Sequence, residues 1–145
     1  MPSNPTGPDH IYLLTDAAEK ARIRRILPER RLASHMNDTK WRELCRGVRT
    51  LPFPPAYQVK YVDSDALVPV ALEHAPSYFG DWARTPEASL GMHIELLKIA
   101  PRYRSSGRLS GPQVEDCSTE LVALLDQLRL LYVKQDDFII LYGHR

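Results

Sequence analysis

The sequence predicts an α+β fold: a single small domain with a mostly antiparallel sheet of about four strands, two main helices on one face, and an N-terminal extension. Three observations carry that expectation. Two segments repeat apolar residues at helical spacing, around residues 37–48 and 114–132. Three others are β-patterned: residues 56–63, 91–99 and 137–143. The connections between most of the strands are of hairpin length, which favours antiparallel neighbours.

The opening, residues 1–8, is Pro, Ser, Asn and Gly with little to bury, so disorder is expected. A short helix follows over residues 15–27, with Asp16 as cap, Glu19 completing a capping-box variant and Pro28 ending it. Its apolar stripe is thin (Ile23, Ile26, Leu27), which makes it marginal on its own. The next helix is capped at Asn37, Asp38 or Thr39 and places Trp41, Leu44, Cys45 and Val48 on one face. The prolines of "LPFPP" stop it.

In "AYQVKYVD", Tyr57, Val59 and Tyr61 point one way and Gln58 and Lys60 the other. Asp63 to Asp65 make a turn. Pro69 demotes "ALVPVALEH" to an edge strand or an irregular segment, and "SYFGDW" is a candidate short strand. In "GMHIELLKI", Ile94 and Leu96 share one face while Leu97 and Ile99 take the other. "APRYRSSGRLSGP" reads as a loop, and a long helix from Val114 to about Tyr132 follows, with Pro112 in its first turn. "DFIILYG" closes the sheet, apolar on both faces. Leu97, Ile99, Ile139 and Leu141 are then expected on the side away from the helices, in need of a second layer.

The net charge of +1 demands neither nucleic acid nor an anionic membrane. The charge is unevenly placed: residues 1–35 carry +2 and residues 36–145 carry −1. No apolar run approaches the roughly 18–20 residues that span a bilayer, and the N-terminus lacks the layout of a signal peptide. Two cysteines, both at apolar helical positions, fit a reducing compartment, so a cytoplasmic location is expected.

The stretches "MNDTKWRELCRGV", "PPAYQVKYVD", "HIELLKI" and "LLDQLRLLYVKQDDFIILYG" resemble a family of small bacterial proteins catalogued only as a domain of unknown function. Its members look like short chains opening with Asn-x-Thr-Lys-Trp just after Met, matched here by Met36–Trp41. A mid-chain Ile-Glu-Trp-Leu-Glu-Ile strand is matched by Ile94–Ile99, with Leu96–Leu97–Lys98 replacing Trp-Leu-Glu, and the terminal Tyr-Gly by Tyr142–Gly143. The resemblance implies a domain over residues 36–145. Residues 1–35 are then an extension, partly disordered with a short helix, or a misassigned start, with a cloning scar at Ser34–Met36 as a further alternative. It brings no activity; the analogy it supports is with immunity proteins that neutralise a secreted toxin.

The candidate chemistry is sparse. His93 and Glu95, joined by His74, form the one metal-like or acid–base set, against a surface pair on a half-exposed strand. Cys45 and Cys117 read as core packing rather than nucleophiles, and no phosphate-binding or nucleophile-elbow motif is present. The segment Arg102–Arg108, with Tyr103 interleaved, is a weak nucleic-acid footprint, against a solvated loop. Phe79, Asp81, Trp82 and Arg84 offer aromatic and charged anchors, with Asp63 and Asp65 as an acidic rim, against a Trp that caps the core. The expectation is a non-catalytic protein-binding module, an immunity-type protein that occludes a cognate toxin, with no cofactor, metal or membrane partner. A small enzyme using the His/Glu set and a nucleic-acid accessory protein are the alternatives.

Overall fold

Helix α2 (Asp38–Val48) forms where the periodicity places it. Asn37 adopts an extended conformation at the cap, and its side-chain oxygen accepts from the Lys40 N–H at 2.8 Å, meeting one of the first-turn donors that a helix leaves open. Trp41, Leu44, Cys45 and Val48 are all buried. The computed structural model of the chain describes residues 8–82, 91–107 and 109–145; the tail expected to be disordered lies outside them up to residue 7.

The remaining elements are α1 (Pro8–Glu29), β1 (Ala56–Tyr61), β2 (Leu67–Val68), a 3-10 turn (Gly91–His93), β3 (Ile94–Ala100), β4 (Arg102–Gly107), β5 (Gly111–Asp116), α3 (Ser118–Gln127), β6 (Tyr132–Gln135) and β7 (Phe138–Tyr142). Five strands form one antiparallel sheet in the order β2-β1-β3-β7-β6, and β4 and β5 form a separate two-stranded hairpin. The fold is α+β with a mostly antiparallel sheet, as expected. No helix among the described residues is long and apolar enough to cross a membrane.

Helices α2 and α3 share one face of the sheet. Their Trp41, Leu44, Leu121 and Leu125 meet Leu97, Ile99, Ile139 and Leu141 in a single apolar core. These four strand residues therefore face the helices, not away from them as the sequence suggested. Ile94 joins them because the register slips between Lys60 and Tyr61: Lys60 pairs with Leu96 while Tyr61 pairs with Ile94. Glu95 is the extra residue, and a β-bulge breaks the alternation that put Ile94 beside Leu96. The other face carries Gln58, Lys60, Leu96, Lys98 and Ile140 by register, a largely polar set.

Three further expectations are corrected. The Arg/Ser/Gly-rich "loop" is the β4–β5 hairpin, closed at the Gly107–Gly111 pair with Gly111 at a φ of +76. That positive φ favours glycine. The last helix is shorter than expected. Val114 lies in β5, Cys117 sits at the cap, and the chain leaves α3 through Leu128 and the left-handed Arg129 to build β6. Residues 77–82, a candidate strand, are irregular.

Helix α1 begins well before Asp16 and runs one residue past Pro28. It is not an appendage. Ile23 is fully buried. Arg30 contacts the Glu95 carboxylate and donates to the Val62 carbonyl at 2.7 Å. Arg31, in the left-handed region, ends the helix, with Leu32 N–H returning to the Leu27 carbonyl at 2.9 Å. Residues 33–35 then pair with 143–145 through Ala33–Arg145 bonds in both directions and a His35 N–H to Gly143 carbonyl bond. The fold thus places no boundary at Met36. Ile23→Ala is expected to lower stability by about 2–5 kcal/mol, as for a core aliphatic. A denaturant melt within about 0.5 kcal/mol of wild type would show instead that α1 is detachable.

A candidate docking cleft at the end of helix α2

The C-terminal end of α2 and the proline run that follows build a concavity. Thr50 tightens the exit, its hydroxyl donating to the Gly47 carbonyl at 2.6 Å. The chain then bends through residues 51–53 and continues without regular structure to Pro55, because proline lacks the N–H a helix needs. Its carbonyls are met from the segment preceding residue 83. Gly80 N–H donates to the Pro54 carbonyl at 3.1 Å, and the Trp82 indole N–H donates to the Pro55 carbonyl at 2.8 Å. Gly80 has no side-chain room: a Cβ there would collide with the Pro55 carbonyl oxygen.

Between these segments lies a cavity of about 410 Å³, larger than two others of about 290 and 300 Å³. Cys45 and Val48 come from α2, Leu51 and Phe53 from the proline segment, and Trp82 from the opposite wall. Arg49 and Asp81 add one charge of each sign. Beside it stands an aromatic ridge. Phe79 packs on Tyr103 with ring centroids 4.5 Å apart, and Phe53 lies 5.7 Å from Tyr103 and 6.5 Å from Phe79. Phe53 is buried, whereas Phe79 is 51% exposed and its neighbour Tyr78 46%. A mostly apolar concavity with few polar groups and a wet aromatic rim suits an apolar side chain of a partner, not a small charged substrate.

The residues singled out in the sequence divide between two places. Asp81 and Trp82 line the cleft, and Phe79 stacks beside it on Phe53. Trp82 is interior: it is 5% exposed, and its ring lies 4.8 Å from that of Tyr57. It shapes the wall and presents no exposed anchor. Tyr57 hydroxyl donates to the Asp81 carbonyl. Asp63 and Asp65 follow the far end of β1, roughly 20 Å away at the rise of an extended strand. Asp63 is engaged within the fold, with Arg22 at 2.7 Å and His93 at 2.6 Å. Arg84 lies outside the described residues. Sequence reading missed Phe53 and gave Tyr103 to the nucleic-acid footprint; the aromatic between the prolines of "PFPP" was the available signal.

The other candidate sets do not assemble. His74 pairs with Asp137 at 3.1 Å, beside the end of β3 that leads into Pro101. His93 and Glu95 occupy the opposite end, roughly 20 Å off by strand rise. Among the described residues no group of three or more His, Cys, Asp and Glu is placed to hold a metal. Arg102 is met by Asp116 at 3.4 Å and the Asp137 carbonyl at 2.6 Å, and Arg104 by Glu73 at 3.4 Å; Arg108 is outside the described residues. Both cysteines are buried and unbridged. Burial, with Glu120 and Asp116 nearby, pushes the Cys117 thiol up to about 12, so it is protonated at neutral pH and not a nucleophile.

A sequence profile described as "Family of unknown function (DUF6678)" matches residues 23–145. The match begins at Ile23, a buried residue of α1. No curated protein and no solved structure matches the chain.

Two outcomes follow from this geometry. Gly80→Ala should force the two cleft walls apart, destabilising by about 1–3 kcal/mol and red-shifting Trp82 fluorescence; an unshifted spectrum at wild-type stability would refute the tight approach. The second concerns acid. Partial desolvation raises the Asp63 carboxyl, but the hydrogen bonds from His93 and Arg22 outweigh it and hold the group at about 2, below its ordinary 3.8. A depressed carboxylate stabilises the fold above its unfolded value, and that contribution is lost as pH falls through the folded one. Unfolding free energy of wild type minus Asp63→Asn should therefore shrink between about pH 4 and pH 2; a pH-independent difference would remove Asp63 from that role.

Proposed function

We propose that this chain, which belongs to the DUF6678 family of unknown function, is a non-catalytic protein-binding module of the immunity type. It acts in the cytoplasm and neutralises a toxin by covering it. The observation that carries this reading is the apolar cleft at the end of α2, with the exposed Phe79 stacked beside it on the lining residue Phe53 and the exposed Tyr78 next in sequence. An apolar or aromatic side chain of the toxin fills the cleft, and the rim excludes water around it. Interfaces concentrate their energy in this kind of buried anchor surrounded by near-neutral contacts.

The acidic rim at Asp63 and Asp65 is not part of this surface. Asp63 is already paired, and both lie at the other end of β1. The proposal therefore narrows to Tyr78, Phe79 and the cleft, flanked by Arg49 and Asp81. Steric occlusion needs a rigid wall, and the wall is supplied by the Trp82–Pro55 bond and the Gly80–Pro54 bond.

The test is affinity capture from the native host with wild-type chain and with Phe79→Asp, whose side chain is half exposed and whose fold should survive. A stoichiometric partner held by wild type should bind the variant at least about thirtyfold more weakly, the loss of an aromatic anchor worth ~2 kcal/mol. Co-expression with that partner should arrest growth only when the variant replaces wild type. Equal capture by both chains, or a partner with no effect on growth, would refute the proposal.

A further inference from the structure

The β4–β5 hairpin stands apart from the five-stranded sheet, and the two sides of the hairpin are treated differently. In an antiparallel ladder, directly opposed residues alternate between pairs that exchange both backbone bonds and pairs whose N–H and C=O groups point outward. Two hydrogen bonds set the phase here. Cys117 N–H donates to the Pro101 carbonyl at 2.9 Å, so the bonded pairs are Tyr103–Glu115, Ser105–Gln113 and Gly107–Gly111. Arg104 N–H, in the alternate set, points away from β5 and donates to the Pro76 carbonyl at 2.8 Å. The outer edge of β4 is thus engaged at its middle, Arg104. On β5 the outward groups belong to Pro112, Val114 and Asp116, and no strand among the described residues pairs with them.

We infer that the outer edge of β5 pairs antiparallel with β5 of a second copy of this chain, forming a dimer with its two-fold axis at Val114. Chemistry selects that register among the three near it. An axis at Glu115 would set the two Glu115 carboxylates directly opposite, and like charges facing across a strand pair are destabilising. An axis at Gln113 aligns each Val114 with Pro112 of the second copy, whose ring has no N–H to return. With the axis at Val114, the two Val114 residues exchange both bonds, and each Asp116 N–H reaches the Pro112 carbonyl opposite. Glu115 then faces Gln113, and the exposed Val114 side chains, each 59% accessible, cover one another. Asp116 is partly neutralised by Arg102 at 3.4 Å. This interface shares no residue with the cleft of the proposed function, and neither reading depends on the other.

The contact is one strand wide and lies at the low end of interface size, so association should be weak, with a dissociation constant on the order of 100 µM. Pro112 and the two Glu115 carboxylates, diagonal neighbours across the axis, restrain it further, as edge prolines and charges do.

Sedimentation equilibrium of the full chain across that concentration range is the test. Wild type should show a monomer–dimer equilibrium. Val114→Arg, which places two cations at the axis, and Val114→Pro, which removes the outward N–H without touching a bond to β4, should each weaken it at least tenfold. Both should keep wild-type circular dichroism. Glu115→Gln should tighten it. A wild-type chain that stays monomeric would overturn the inference, as would a dimer indifferent to both Val114 substitutions. A folded Val114→Arg monomer beside a wild-type dimer supports it even where Val114→Pro misfolds.

Discussion

The bulge at Glu95 is the constraint on which the rest of the structure depends. One extra residue in β3 turns Ile94 inward to the helices and leaves Glu95 facing the other way. The Glu95 side chain then receives Lys60 of β1 at 2.8 Å and Arg30 of the α1 exit. Its backbone carbonyl receives the N–H groups of Gly143 and His144 at 2.7 and 3.0 Å. A single residue therefore joins the first helix, the central sheet and the last residues of the chain. Burial raises the Glu95 carboxyl, but the bonds from Lys60 and Arg30 prevail and hold it below the usual carboxylate range. Deprived of both cations, the same carboxylate would be a partly buried charge without compensation, which is why α1 and the sheet stand or fall together.

The second tie at this end is a histidine. Nε2 of His144 donates to the Met92 carbonyl at 2.6 Å, which leaves Nδ1 to accept from the Ser34 hydroxyl at 2.8 Å. Burial lowers the His144 pKa, so the neutral ring that this pattern requires is the form present near neutral pH. Residues 33–35 are held by these side chains as well as by the backbone ladder. The segment that reads in sequence as an extension or a misassigned start is thus bonded to Val62, Glu95 and residues 143–145.

How much was legible follows from where the apolar pattern was complete. Helix α2 carried its cap and four inward residues within a dozen positions, and β7 carried five consecutive apolar or aromatic residues. The β4–β5 hairpin was hidden because solvent reaches both of its faces, so no alternation between apolar and polar side chains is imposed. The spacing of Val114, Cys117 and Leu121 then mimicked a helical stripe across a strand. Strand β6 went unread, and the helix was carried to its first residue, Tyr132, because Leu128 and Leu131 continue the same spacing while the left-handed residue that ends α3 is an arginine instead of a glycine. The bulge has no glycine or proline to announce it. At the cleft, Phe79 and Trp82 were legible as unusual residues in an irregular stretch. Their packing on Phe53 and Pro55 was not, since those contacts are made across some twenty-five residues of chain.

The pairing of residues 33–35 with 143–145 also sets an order of events during synthesis. Helix α1 precedes its partners in translation: Val62, Asp63 and Glu95 follow it, and residues 143–145, which hold the segment after it, come later still. The loop that this pairing closes is more than a hundred residues long, and its entropy must be overcome before the contact gives anything back. Until residues 138–142 emerge, β3 lacks one neighbour. The nascent chain therefore carries an unsealed sheet edge until β7 has been made, and the pairing of residues 33–35 with 143–145 is a late event in folding.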